Sequence, residues 1–249
     1  EVDYTAFFGP LAKWAVQIDH VDRVPEIISR AWTVAMSGRP GPVVVALPED
    51  MLVATSDRLP CNPVAIPEPA VPEAGAAQIA AMLGAAERPV MLVGGTRWTA
   101  CSARALESFS AVNDVPVVAA FRFHDIIDNH CPSFVGDAGV AMNAYMKDLL
   151  RQADLIVAIN IRFGESTTDG YSLFGAPKMA AKLVHSHASD AEIGKIYAPD
   201  LPIHAGPNAM ASALAGITLP ASEARTAWRD AARENLSLIH ISEPTRPSS

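Results

Sequence analysis

Apolar and polar positions along residues 74–219 predict helices and buried strands that alternate in the chain. The helical stretches carry apolar residues three to four positions apart, whereas the strand stretches are short continuous apolar runs. Such continuous runs are typical of strands that are buried on both faces of a parallel sheet. The pattern therefore predicts an α/β domain with a doubly wound, Rossmann-like parallel sheet. The predicted helices cover 74–86, 100–113, 142–152, 190–196 and 207–215, and the predicted strands cover 89–94, 116–121, 154–160, 181–185 and 201–205.

A shorter pattern of the same kind occupies residues 1–52. A strand is predicted over 13–18, a helix capped by Asp19 or Asp22 follows to about Met36, and a fully apolar strand runs over 43–47. Two strands and one helix bury little apolar surface by themselves, so these elements need sheet partners that the sequence does not contain. We therefore expect residues 1–52 to be the carboxyl-terminal part of a larger α/β domain that is truncated at its amino end.

Residues 53–73 are predicted to be a linker between the two domains. Five prolines recur in this short, weakly apolar stretch, which is typical of a semi-rigid extended spacer. They are Pro60, Pro63, Pro67, Pro69 and Pro72.

The end of the chain carries two further segments. Residues 221–235 are predicted to form a polar, alanine-rich helix with no evident packing partner. The following string from Leu236 to Arg246, LSLIHISEPTR, resembles a translated sequencing adapter, so residues 236–249 are expected to be an artefact and not natural protein. The alternative is a genuine amphipathic tail.

Composition and charge narrow the class of protein. Half of the 249 residues are hydrophobic and only 18% are charged, as expected for a globular chain. The formal charge of −8 disfavours a nucleic-acid partner or an anionic membrane surface. There is no apolar run of membrane-spanning length and no signal-peptide pattern. Cys61, Cys101 and Cys131 are far apart and fit reduced thiols, so we expect a cytoplasmic protein.

Two candidate site segments follow predicted strands, at the sheet edge where α/β proteins bind ligands. Gly94 and Gly95 could let a phosphate approach the backbone, or could simply form a tight strand-to-helix turn. Arg162 could bind an anion, or could pair with a carboxylate and brace its loop. We therefore treat Gly94, Gly95 and Arg162 as a candidate nucleotide or substrate groove, with no catalytic residue assigned in this chain.

No metal site is predicted. The string from Gly136 to Gly139, GDAG, reads as a turn. His185 and His187 should share one face of a strand, but the sequence places no third ligand beside them, which favours ordinary polar partners. A long loop that contains His124, Asp125, Asp128 and His130 could line a substrate channel, although no spacing rule assigns it a role.

The segment from Ser37 to Leu52, SGRPGPVVVALPEDML, together with the opening EVDYTAFFGPLAKWA, resembles thiamine diphosphate enzymes of the acetolactate synthase type. The resemblance extends to about Leu219. It implies that 1–52 end the pyrimidine-binding domain, that 74–219 form the central domain, and that 220–235 begin the connection to a third domain outside this sequence. It also implies a larger enzyme that decarboxylates 2-oxo acids and joins the acyl unit to an acceptor, as a homodimer or homotetramer, with the fragment itself inactive.

The resemblance places the activating glutamate and the GDG metal motif for thiamine diphosphate and Mg²⁺ outside this sequence. It also implies that FAD could lie beside Gly94 and Gly95, as in flavin-containing relatives. The string from Asn160 to Ser166 departs from the family's G-x-R-F-D-D-R: Asn160 replaces the leading glycine, Gly164 the first acidic residue and Ser166 the closing arginine. In those synthases the closing arginine faces the substrate, so Ser166 puts acetolactate formation itself in doubt.

Two alternatives to the enzyme fragment stay open. One is a module that binds FAD, NAD or ADP without decarboxylation, although the lack of GxGxxG and the Phe121 at the end of the second predicted strand disfavour NAD. The other is a purely structural central domain with a vestigial nucleotide groove.

Lys13 has two possible roles. The resemblance aligns it with a lysine that approaches the active site in the synthases, and the alternative is an ordinary surface lysine.

Overall fold

A computed structural model describes residues 2–62 and 64–241, the last five of these as backbone only. The chain divides into two compact units, one ending at Pro67 and the other beginning at Glu68.

The amino-terminal unit contains a two-stranded parallel sheet. Strands β1 (Trp14–Gln17) and β2 (Val43–Ala46) pair directly, and helix α2 (Val24–Met36) connects them. Two short helices, α1 (Tyr4–Phe8) and α3 (Glu49–Val53), precede and follow this strand–helix–strand unit. Lys13 is exposed, and its Nζ donates to the carbonyls of Ser37 and Arg39 at 2.6 and 3.1 Å, which fastens the turn before β2.

The second unit is built on six parallel strands. In chain order its elements are α4 (Glu73–Ala85), β3 (Pro89–Val93), α5 (Ala100–Val112), β4 (Val117–Ala120), β5 (Phe134–Ala138), α6 (Ala144–Gln152), β6 (Leu155–Ile159), β7 (Lys182–His187), β8 (Leu201–His204), α7 (Pro207–Ala215) and α8 (Glu223–Ile241). The strand order across the sheet is β5-β4-β3-β6-β7-β8. Counted within this unit the order is 3-2-1-4-5-6, which is the doubly wound Rossmann order. The predicted fold class is therefore confirmed.

Both faces of the sheet are covered, which explains why the central strands β3, β4 and β6 are apolar throughout. β3, β4 and β6 are buried at every position. One face packs against α4, α5 and α7 through side chains such as Ile79, Leu106 and Met210. The other packs against α6 and the 161–197 region, through Leu150 and Tyr197 among others.

Three sequence-based predictions about elements were wrong. Residues 136–138 belong to β5 and not to a turn, because the sheet supplies a partner strand for a segment whose Gly136 and Asp137 have low strand propensity. The predicted helix over 190–196 is only a short 3-10 turn, Asp190–Glu192, since Gly194 has a φ of 75° that helical backbone does not adopt.

The helix predicted over 221–235 was expected to lack a packing partner, and this third prediction was also wrong. α8 packs on the second unit: Ala232 and Arg225 are buried, and the Trp228 indole Nε1 donates to the Pro89 carbonyl at 3.0 Å. Its backbone continues into residues 236–241, and Leu236 packs against the core. The rest of the expected adapter segment, 242–249, lies outside the described residues.

Candidate functional site: the carboxyl edge of the sheet

The turns after β3 and β6 lie side by side at the carboxyl edge of the sheet. Val93 and Ile159, the last residues of the two strands, are register partners. The chain therefore continues from this pair into Gly94 on one strand and Asn160 on the other. Because β4 lies on the outer side of β3 and β7 on the outer side of β6, the sheet order reverses here. Open α/β sheets bind their ligands at such a switch point.

The glycine turn after β3 is tightly enclosed. A Cβ on Gly94 would lie 2.9 Å from Ile161 Cγ2 and 3.0 Å from Ala120 Cβ. The Trp98 indole Nε1 donates to the Gly94 carbonyl at 2.9 Å and holds the turn from the other side. Gly95 has a φ of 69°, and a Cβ there would run into the backbone oxygen of Asn160. Both glycines are thus required by close approach within the protein itself.

Asn160 reaches across the switch point. Its side chain is 6% exposed and its Nδ2 donates to the Thr96 carbonyl at 3.0 Å, while its backbone N–H donates to Ser186 on β7. Its φ of 55° lies in the left-handed region, which asparagine tolerates better than most residues. The Asn160 carboxamide therefore joins the turn after β6 to the turn after β3.

A groove of about 390 Å³ lies on the β4 side of the glycine turn. Gly95, Trp98 and Phe123 line it together with two arginines, Arg97 and Arg122, whose φ angles are 73° and 71°. The Arg122 guanidinium lies 4.9 Å from the centre of the Phe121 ring. The groove combines aromatic surface with positive charge and is open to solvent.

Arg162 lies in a different cavity, of about 60 Å³, on the β7 side of Asn160. Its Nε is 3.9 Å from Glu192 Oε2, and Lys195 Nζ is 3.6 Å from Glu192 Oε1. Glu192 is 8% exposed, whereas the two cations are about half exposed. The predicted site residues are therefore not brought into one groove: Gly95 lines one cavity and Arg162 lines the other.

The two histidines of β7 have different surroundings. His185 is buried in an aromatic group with Phe163, whose ring centre is 5.1 Å away, and His185 Nε2 lies 3.2 Å from the Ile161 carbonyl. Burial lowers the pKa of His185 to about 4. His187 Nδ1 accepts from the Ser189 backbone N–H at 2.9 Å. Within the described ranges, no group of three or more His, Cys, Asp and Glu side chains could hold a metal ion.

The residues of the predicted long loop, 124–130, contact different neighbours and do not converge on one site. His124 Nε2 lies 3.4 Å from Asp137 Oδ2 of β5. The Asp128 backbone N–H donates to Glu107 Oε1 on α5 at 2.7 Å, and Asp125 lines the larger groove.

Sequence reasoning missed a polar network at the amino ends of α5 and α7. Asn208, in the first turn of α7, uses Oδ1 to accept from the Thr99 N–H at 3.0 Å and from Ser102 Oγ at 2.6 Å. Its backbone N–H and Nδ2 donate to the two carboxylate oxygens of Glu68 at 2.9 and 2.8 Å. Glu68 falls inside the predicted linker, where composition alone does not distinguish a fixed carboxylate from a solvated one.

Replacement of Glu68 should weaken the second unit. Glu68→Ala removes a carboxylate that satisfies two donors at the start of α7 and complements the positive end of that helix. We expect the free energy of unfolding to fall by about 1–2 kcal/mol, measured by urea titration. Glu87→Ala, at an exposed position beyond α4, is the matched control and should change stability by less than about 0.5 kcal/mol. Equal losses in the two variants would contradict the assigned role of Glu68.

The strand order and the tight turn after β3 define a doubly wound, Rossmann-like domain. Sequence comparison identifies its family: residues 76–214 match the model described as thiamine pyrophosphate enzyme, central domain, and the chain belongs to that family. This confirms the family expected from the resemblance.

Several curated relatives agree with this assignment. The chain is 28% identical over 214 residues to acetolactate synthase isozyme 2 large subunit from Escherichia coli K12, which covers 86% of this chain and 38% of the relative. It is 29% identical over 230 residues to the isozyme 1 large subunit from the same strain, and this match covers 92% of this chain and 40% of the relative. It is 30% identical over 205 residues to glyoxylate carboligase from Escherichia coli O157:H7, and this match covers 81% of this chain and 34% of the relative. The chain thus spans between a third and two fifths of the length of these relatives.

A membrane-spanning role finds no support in the described part of the chain, where no helix combines the length and apolarity that a bilayer crossing requires.

Proposed function

We propose that this chain is the central domain, with a preceding segment, of a thiamine diphosphate-dependent enzyme that decarboxylates a 2-oxo acid and joins the remaining acyl unit to an acceptor. The observation that carries the proposal is the match of residues 76–214 to the thiamine pyrophosphate enzyme central domain, on a sheet of order 3-2-1-4-5-6. The similarity to acetolactate synthase and to glyoxylate carboligase supports a carboligation reaction.

The residues of this chain would supply the scaffold and not the cofactor site. Thiamine diphosphate, when bound, supplies the carbanion chemistry of such a reaction, and Mg²⁺ would hold its diphosphate. The sequence contains no GDG string, and the resemblance assigns none of its residues to thiamine diphosphate, so we assign no residue of this chain to either group. By this proposal the 249-residue chain is inactive on its own, and the longer enzyme is a cytoplasmic homo-oligomer.

The substrate is proposed only as a small 2-oxo acid. Ser166 stands where the synthases carry a substrate-facing arginine, and glyoxylate carboligase is among the relatives. Pyruvate and glyoxylate are therefore the two substrates to test first.

The test extends the coding sequence in both directions, expresses the longer protein and measures CO₂ release from pyruvate and from glyoxylate. With at least one of the two substrates, we expect the longer protein to release CO₂ only when thiamine diphosphate and Mg²⁺ are added. The 249-residue chain should release none. Light scattering of the longer protein should give a dimer or tetramer. A longer protein that lacks a GDG motif followed by an asparagine pair, or that releases no CO₂ with the cofactors present, would contradict the proposal.

A further inference from the structure

The switch point, where a dinucleotide crosses the sheet edge in this architecture, is filled by the protein itself. A dinucleotide requires a continuous crevice over the ends of the first and fourth strands, with backbone close to its pyrophosphate. Here those strands are β3 and β6, and the Asn160 side chain lies between the turns that follow them. The Asn160 carboxamide is buried against Gly95, since a Cβ on Gly95 would lie 2.5 Å from its Nδ2.

Asn160 is fixed in this position by bonds to both neighbouring segments. Its Nδ2 donates to the Thr96 carbonyl, and its backbone N–H donates to Ser186 on β7. A ligand that displaced the carboxamide would leave the Thr96 carbonyl without this donor. Such displacement opposes binding because it breaks this part-buried hydrogen bond and moves a buried carboxamide away from its packing against Gly95.

Two separate cavities lie at the carboxyl edge of the sheet, and no single crevice lined by described residues joins them. The larger one, of about 390 Å³, is lined by residues after β3 and β4, and the smaller one, of about 60 Å³, by residues after β6 and β7. No described residue lines both of them. The space for the two halves of a dinucleotide is therefore separated at Asn160.

Side chains of the protein also occupy the amino end of the helix that would meet the pyrophosphate. In this architecture the pyrophosphate lies at the amino end of the first helix, which here is α5. The Thr99 N–H donates to Ser102 Oγ and Asn208 Oδ1, and the Ser102 N–H donates to Thr99 Oγ1. Side chains of the protein thus already satisfy donors that a phosphate would use.

We infer that Asn160 closes the switch-point crevice to FAD and other dinucleotides, so that the central domain of this protein holds no flavin. Neither the Gly94–Gly95 turn nor Arg162 then contacts a bound dinucleotide. The inference concerns this crevice alone and does not depend on the proposed thiamine diphosphate chemistry.

The test measures FAD binding to the full 249-residue chain and to Asn160→Gly. Glycine accepts the positive φ of position 160, so the variant loses the carboxamide without a backbone conflict. Asn62→Gly, at an exposed position in the proline-rich segment, is the matched control. Each protein is desalted after incubation with FAD, its absorbance near the flavin maximum is read, and its melting temperature is compared with and without excess FAD.

We expect the wild-type chain and Asn62→Gly to retain no flavin and to show no FAD-dependent change in melting temperature. Asn160→Gly should gain a rise of about 5–10 °C if FAD is present at a hundredfold excess over its dissociation constant. Stoichiometric flavin on the wild-type chain would overturn the inference. Absence of binding to Asn160→Gly as well would overturn the role of Asn160, since the occupied amino end of α5 or another group would then be sufficient to exclude FAD.

Discussion

Replacing Arg225 with methionine is expected to destabilise the second unit by about 3 kcal/mol. Arg225 is 2% exposed; its Nε donates to the Asn113 carbonyl at 2.7 Å and its guanidinium also donates to the Pro220 carbonyl. Methionine keeps an unbranched apolar stem but leaves the buried Asn113 carbonyl and the part-buried Pro220 carbonyl without these donors. Hydrogen bonds from a charged donor contribute more than neutral ones, and an unsatisfied buried acceptor adds its own cost.

The Arg225 contacts matter because they fasten α8 to the end of α5. Asn113, the residue after α5, also accepts the Leu219 backbone N–H through its side-chain Oδ1 at 2.7 Å. The next residue, Asp114, accepts from Thr226 Oγ1 and pairs with Arg229, each at 2.6 Å. Loss of Arg225 should therefore loosen the whole carboxyl-terminal helix and not only one contact.

Urea unfolding of the full chain measures this effect, and Arg104→Met is the matched control. Arg104 is an exposed arginine on α5, and its replacement should change stability by less than about 0.5 kcal/mol. A loss of about 3 kcal/mol corresponds to a fall in melting temperature of roughly 6–12 °C for a unit of this size. If Arg225→Met were as stable as Arg104→Met, α8 would not be held by these bonds.

Much of the second unit could be predicted from the sequence because its strands are buried on both faces. A strand of that kind is a short apolar run, and β3, β4 and β6 are all of this type. β5 escaped prediction because it is an edge strand that contains Gly136 and Asp137 and pairs with β4 through an irregular register. β5 is a strand because it pairs with β4, and the hydrophobic pattern within residues 134–138 alone does not report that pairing.

The site could be predicted only in part, for a related reason. The strand ends placed Gly94, Gly95 and Arg162 at the carboxyl edge, and a side chain at position 160 was recognisable as a departure from the glycine of the family motif. That this side chain would reach Thr96 depends on the β3–β6 register, which aligns Val93 with Ile159. The Arg225 bonds connect residues up to 112 positions apart, and no periodicity in the sequence reports them.

The surroundings of His185 make the stability of the second unit depend on pH. The Ile161 carbonyl can only accept, so His185 Nε2 carries the proton, and Nδ1 has no hydrogen-bond partner among the described residues. A second proton would place an uncompensated charge on Nδ1 beside the Phe163 ring. Burial is the main reason that the pKa is lowered to about 4; the nearby His187 lowers it further, whereas the Ile161 carbonyl and Glu192 act in the opposite direction.

The sign of the pH effect follows from the two pKa values of His185. In the unfolded chain the imidazole titrates near its ordinary 6.5, and in the folded protein near 4. Between these values the unfolded state binds the proton more readily, so the contribution of His185 to stability is fully present above pH 6.5 and is lost as the pH falls to 4. The difference in pKa corresponds to about 3 kcal/mol.

His185→Phe should abolish this part of the pH dependence. Phenylalanine keeps a ring against Phe163 but cannot take up a proton, so its unfolding free energy should fall about 3 kcal/mol less than that of the wild type between pH 7 and pH 4. At pH 7 the variant should be about 1–2 kcal/mol less stable, because the Ile161 carbonyl loses its donor. His130→Gln, at an exposed loop position, should keep the wild-type pH dependence. Urea titrations at the two pH values decide the matter: parallel losses in His185→Phe and the wild type would mean that the pKa of His185 is the same in the folded and unfolded states.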